Sequence, residues 1–143
     1  MFTDKYKQRL YDEWKTHGKI IIGVDYDDTV SPWKLFGEDS AALKDIRTVL
    51  RQAKETGAYI TCYTACNTDR HTEIRDNFKK WGIELDSINE NPIELPYGHN
   101  AKPQCNIYLD DRAGIWEALG ILQDVMWVIR GEKNTQNTIQ NNF

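Results

Sequence analysis

The spacing of apolar residues changes several times along this chain, and each change marks an element. Near the start, Phe2, Tyr6, Leu10 and Trp14 recur four apart, a row on one face of a helix. "KIIIGV" (19–24) is instead an unbroken apolar run, the pattern of a strand covered on both faces in a parallel sheet. "SAALKDIRTVLRQAKETG" (40–57) returns to helical spacing, with Ser40 placed to cap its start and Gly57 its end. "AYITCYT" (58–64) is β-branched and aromatic and predicts a second strand. A helix follows from Thr68 or Asp69 to Trp81 and stops at Gly82. "IEL" (83–85) predicts a short strand, and 86–105 a turn-rich connection. "NIYLD" (106–110) is the next strand, "RAGIWEALG" (112–120) a short helix and "VMWVI" (125–129) a last strand. The closing stretch "RGEKNTQNTIQNNF" is polar and predicts a loose tail.

Strand and helix alternate, so the expected class is α/β: a Rossmann-like, doubly wound, mainly parallel sheet of about five strands. One domain is expected over 1–130, followed by a tail over 131–143. A chain of 143 residues is long enough to bury a core, and 40% apolar residues exclude a disordered polymer. The net charge of −4 argues against a general nucleic-acid binder. "MFTDKYKQRLYDEWK" carries charges throughout and does not read as a signal peptide, and no stretch has the length of a membrane span. Cys62, Cys66 and Cys105 lack C-x-x-C spacing and read as reduced, buried thiols. These features point to a cytoplasmic protein with no membrane contact.

Three predicted strands end in residues that carry chemistry. Asp25 follows the first, Thr64 the second, and Asp110–Asp111 the "NIYL" strand. In a parallel sheet these ends share one edge, where α/β ligands bind. Asp25, Asp27, Asp110 and Asp111 would crowd about four negative charges there, a cluster that needs a cation or bound protons. Hard carboxylate oxygens without His or Cys suit Mg²⁺. Lys102 offers a further positive charge. Asp28 is expected to point away from the site and to be solvated.

In that order, these residues resemble the four motifs of the haloacid dehalogenase superfamily of phosphohydrolases. "DYDDT" (25–29) is similar to its first motif, Asp-x-Asp-x-Thr, and Thr64 to its second. Lys102 resembles the third and Asp110–Asp111 the fourth, so the likeness spans residues 20–111. It implies that Asp25 is the nucleophile forming an aspartyl phosphate and Asp27 the general acid and base, protonated through carboxylate crowding. Thr64, with backbone N–H groups after Asp25, would hold phosphoryl oxygens, and Lys102 would neutralise them. Mg²⁺ would be held by Asp25, the Asp27 carbonyl, Asp110 and Asp111.

Thr29, Trp33 and Arg70 complete the set as substrate-binding candidates. Arg70 either reaches a substrate anion or pairs with Glu73 or Asp69 on its own helix. Trp33 and Phe36, in "SPWKLFGED", either flank a leaving group or cover the core. Two intervals could carry a cap domain: ten residues from Val30 to Asp39 and sixteen from Asp86 to Ala101, both too short for a core of their own. The expected protein is therefore a capless phosphomonoester hydrolase, open to a phosphate on a nucleic-acid end or a protein, with an oligomer compatible. A phosphotransferase and a non-catalytic relative share the same motifs. A receiver-like phosphoacceptor module uses similar residues in a different order, with its acidic pair early.

Overall fold

The computed structural model describes residues 1–65, 68–93 and 104–141. Its first helix, α1 (Lys5–His17), starts where the Asp4 carboxylate accepts the N–H groups of Tyr6 and Lys7. It ends at Gly18, whose φ of 72° allows its N–H to reach the Trp14 carbonyl. Leu10 and Trp14 are buried, while Tyr6 is 64% exposed. A row spaced four apart rotates by about 40° per step, and over two steps Tyr6 leaves the buried stripe.

Strands β1 (Ile21–Asp25), β2 (Tyr59–Tyr63), β3 (Ser87–Ile88) and β4 (Ile107–Leu109) form one parallel sheet in the order β3-β2-β1-β4. Among the described residues the sheet has four strands, not about five. The apolar run of β1 is buried on both faces, as a central parallel strand requires. Gly23 leaves room for its neighbours beside β4: a Cβ there would stand 2.7 Å from the Cys105 sulfur and 3.0 Å from the Tyr108 ring. Cys62 is buried in β2, and Cys66 lies outside the described residues.

Helix α2 (Ala41–Glu55) connects β1 to β2, with the Ser40 hydroxyl accepting the Leu43 N–H at its start. Leu43, Ile46, Val49, Leu50 and Ala53 form its buried face. A 3₁₀ turn (Thr68–Arg70) leads into α3 (His71–Lys80), which buries Ile74 and Phe78. The third strand is not "IEL" but Ser87–Ile88. Ile83 is taken up closing α3, its N–H on the Phe78 carbonyl, and pairing with β2 starts where the Asp86 N–H meets the Ile60 carbonyl. The Asp86 carboxylate accepts from the Ile60 N–H and from Lys54. Ser87 is buried in this strand because its hydroxyl is satisfied by Thr61 Oγ1 and the Glu90 carbonyl.

The largest departure from the sequence pattern is α4 (Ile115–Asn141), a single 27-residue helix. "VMWVI" lies within it rather than forming a strand, and residues expected as a loose tail continue it to Asn141. Ile115, Leu119, Leu122, Val125, Met126 and Ile129 are buried at helical spacing. A five-residue window cannot separate that period from a strand, because it spans little more than one turn. α1 packs along α4 through Lys7–Asp124 at 2.7 Å, Lys15–Glu132 at 2.9 Å and the Tyr11 hydroxyl on Glu132 at 2.6 Å. Among the described residues no helix is long and apolar enough to cross a membrane.

Candidate functional site

The parallel register sets Asp25 beside Tyr63 and Val24 beside Leu109, so three neighbouring strands deliver their final residues to one edge. Carboxylate oxygens of Asp25, Asp110 and Asp111 all lie within 4.8 Å of one another. The cluster is held from outside. The Tyr63 hydroxyl donates to Asp110 Oδ2 at 2.9 Å, and the Arg112 N–H donates to its Oδ1 at 2.9 Å. Thr29 Oγ1 accepts the Asp111 N–H at 3.1 Å and donates to Asp111 Oδ1 at 3.2 Å.

Burial, and after it the charge of Asp110, pushes the Asp25 carboxyl up to about 7, against a smaller opposing pull from the Tyr26 N–H. Burial and the Asp110 hydrogen bond likewise push the Tyr63 phenol up. The cluster is therefore short of positive charge. Three carboxylates with no nitrogen or sulfur donor could hold a metal ion that prefers oxygen ligands.

Beyond Asp25 the chain turns tightly. The Tyr26 carbonyl accepts from Thr29, Val30 and Ser31, and the Tyr26 ring is wholly buried against Phe78 and Trp81. With Tyr26 turned inward, Asp27 faces outward and meets Arg70. Arg70 Nη1 donates to Asp27 Oδ2 and Nη2 to Oδ1, each at 3.1 Å. The same guanidinium reaches Glu73 at 3.5 Å and lies 5.1 Å from the Trp33 ring centre and 5.7 Å from that of Tyr26. The expected pairing of Arg70 with Glu73 is therefore present, but beside it stands the two-armed contact with Asp27, which neither sequence alternative included. The crowding expected at Asp27 falls instead on Asp25, because Asp27's carboxylate lies against a guanidinium rather than inside the acidic cluster.

Asp28 is not solvated. It is 8% exposed, sits at φ 59°, and its carboxylate accepts the N–H groups of Trp33, Leu35 and Phe36 at 2.9, 3.0 and 3.1 Å. Burial raises its carboxyl, but those donors outweigh it and hold the group below the ordinary range. Its left-handed backbone reverses the side-chain direction that strand alternation would give. The flap from Val30 to Asp39 is pinned again by buried Arg47, which donates to the Val30 carbonyl and to both Asp39 oxygens, each at 2.8 Å. Trp33 remains 52% exposed on this flap, and Phe36 donates its N–H to Asp28.

Thr64 directly follows β2 at the same edge, where Asn89 brackets its backbone: the Thr64 N–H donates to Asn89 Oδ1 at 2.7 Å, and Asn89 Nδ2 donates to its carbonyl at 3.1 Å. Lys102 lies outside the described residues. Tyr63 and Arg47 were not singled out by sequence reasoning, and Asp28 was read there as a solvated turn residue. Tyr63 adjoins Thr64 at a strand end, a signal of sorts; the Arg47–Asp39 pairing leaves none. Comparison with family models, curated proteins and solved structures finds no match to this chain.

Proposed function

We propose that this protein is a cytoplasmic, Mg²⁺-dependent phosphomonoester hydrolase of the haloacid dehalogenase type, working through an aspartyl phosphate. The observation that carries this reading is the strand-end cluster of Asp25, Asp110 and Asp111, with Asp25 raised to about 7 in the absence of a cation. Bound Mg²⁺ would be held by these three residues and the Asp27 carbonyl, and would neutralise both the cluster and the phosphoryl oxygens.

In this reading an Asp25 oxygen bonds to phosphorus as the ester P–O bond breaks. Asp27 gives a proton to the leaving oxygen, then takes one from the water that attacks the phosphoryl group and frees Asp25. Arg70 holds Asp27 until the substrate arrives. The phosphate, itself an anion, competes for the guanidinium, and the freed Asp27 carboxylate takes up a proton from water, which it then gives to the leaving oxygen. Thr64 and Lys102 are proposed to hold phosphoryl oxygens, with Thr29 keeping Asp111 in place and Trp33 bordering the leaving group.

The experiment is release of inorganic phosphate, with Mg²⁺, from a panel of nucleotides, sugar phosphates, phosphopeptides and 5′- or 3′-phosphorylated oligonucleotides. Turnover should vanish with EDTA and in Asp25→Asn. Activity that survives both, or none against any member of the panel, overturns the reading.

A further inference from the structure

Strand β2 ends at Tyr63, yet both the N–H and the carbonyl of Thr64 are held as if the sheet went on. The β2–β3 ladder pairs Thr61 with Ser87 and Cys62 with Ile88, and the Asn89 N–H closes it on the Cys62 carbonyl at 2.9 Å. In this register a parallel ladder would next run from the Thr64 N–H to the Asn89 carbonyl. The following bond would join the Asn91 N–H to the Thr64 carbonyl. The backbone of Asn89 turns out of the strand at φ 58°, and its side chain takes both bonds instead. Oδ1 accepts the Thr64 N–H at 2.7 Å, and Nδ2 donates to the Thr64 carbonyl at 3.1 Å. A carboxamide carries the acceptor and the donor of a peptide group, so one side chain supplies the two missing rungs.

The turn that aims this amide is anchored from below. The Glu90 carbonyl accepts the buried Thr61 hydroxyl at 2.9 Å, and the buried Ser87 hydroxyl reaches the same carbonyl. A glycine would make the turn at no steric cost. What asparagine adds is the hold on Thr64.

We propose that Asn89 is the positioning residue for Thr64, its amide keeping the end of β2 in strand register beside Asp25. Asp25 stands level with Tyr63, so Thr64 is the first residue beyond that pair. The inference rests on the phosphatase reading, in which Thr64 holds a phosphoryl oxygen. With its backbone already fixed on both sides, Thr64 meets that oxygen without first losing freedom of its own. Asn89 acts through Thr64 and makes no contact with the substrate.

Asn89→Gly tests this in the intact chain, because glycine keeps the turn at positive φ and removes only the amide. Hydrogen exchange should show the Thr64 amide exchanging about tenfold faster in the variant, with the amides of β1 unchanged. Equal Thr64 exchange in the two proteins overturns the proposal, whatever the activity. Kinetics gives the second measurement. In Asn89→Gly, kcat/KM for phosphate release should fall about tenfold. In a Thr64→Ala background the same change should cost nothing further, since a residue that acts through Thr64 has no hydroxyl left to position. The same loss in both backgrounds, or an Asn89→Gly protein as active as wild type, overturns the positioning role. Failure of the phosphatase reading shows elsewhere: a wild type that releases phosphate from no substrate overturns that reading, and this role with it, before any variant is compared.

Discussion

Arg70 closes on Asp27 with both arms of its guanidinium, two hydrogen bonds of 3.1 Å that join the turn after β1 to the start of α3. A planar fork on a carboxylate fixes both the position and the plane of the acid, which a lysine cannot do. If Asp27 moves protons and Arg70 passes to the substrate phosphate, Arg70→Ala should raise KM and lower kcat together, with kcat/KM falling about 100-fold. Arg70→Lys should recover part of the KM effect and little of kcat. Steady-state kinetics of the folded variants checks this, and unchanged KM and kcat in Arg70→Ala would remove Arg70 from the site.

Asp25 is raised to about 7 from an ordinary value of 3.8. Between those values the folded chain holds a proton that the unfolded chain has lost. Stability of the metal-free protein should therefore fall as pH rises from about 4 to about 7 and stay low above it. Mg²⁺ at pH 8 should restore it by mass action, and Asp25→Asn should flatten the slope and raise the metal-free melting temperature by a few degrees. Melting curves in EDTA at pH 5, 6, 7 and 8 decide the matter; a flat wild-type profile contradicts it.

Tyr63 and Thr29 touch the cluster through its acids alone, holding Asp110 and Asp111 respectively. Partners that orient ligands usually alter metal affinity about 10–100-fold when removed. Tyr63→Phe should thus raise the Mg²⁺ concentration needed for half-maximal thermal stabilisation about tenfold, and Asp111→Ala should abolish the stabilisation. An unchanged Mg²⁺ titration in both variants would mean that the cation binds elsewhere.

Asp28 supports the flap with three backbone hydrogen bonds to a single buried carboxylate. Asp28→Ala leaves those donors without their partner and places a residue with no polar side chain at φ 59°, a cost of about 2–4 kcal/mol. Asp28→Asn tolerates that backbone and keeps an acceptor, so its cost should be about half as large. Thermal denaturation gives the ranking, and limited proteolysis should cut Asp28→Ala first within 30–39.

The sheet edge was legible in the sequence because its signals are local: an apolar run ending in Asp25, and another ending in Asp110–Asp111. The parallel register then brings those ends together without any long-range information. The partners that hold the edge were not legible, since they span gaps: Arg70 reaches Asp27 across 43 residues, and Tyr63 reaches Asp110 across 47. Asp28 misled for a local reason, its left-handed backbone, which alternation cannot anticipate. α4 misled through composition. Trp127 and Val128 filled the outward positions of a helix with residues that strands favour, so an inward helical stripe looked like a continuous run.

The flap also bears on substrate size. Val30–Asp39 forms no helix or strand of its own, and Asp28 and Arg47 hold it down beside the acidic edge. A flap this short offers little surface of its own to enclose a small leaving group, and enclosure is what gives a small ligand its binding energy. What the flap does offer is Trp33, half exposed, with one face on Arg70. An aromatic plate backed by a guanidinium suits a flat group such as a nucleobase, and base stacking of this kind is worth about 1–3 kcal/mol. A phosphorylated oligonucleotide should therefore exceed the matching mononucleotide in kcat/KM by roughly 10–100-fold, and Trp33→Ala should erase most of that difference through KM. Side-by-side kinetics on the two substrates, for wild type and variant, provides the check. A preference for the mononucleotide, or a Trp33→Ala variant with the same ratio as wild type, would show that the leaving group is recognised elsewhere.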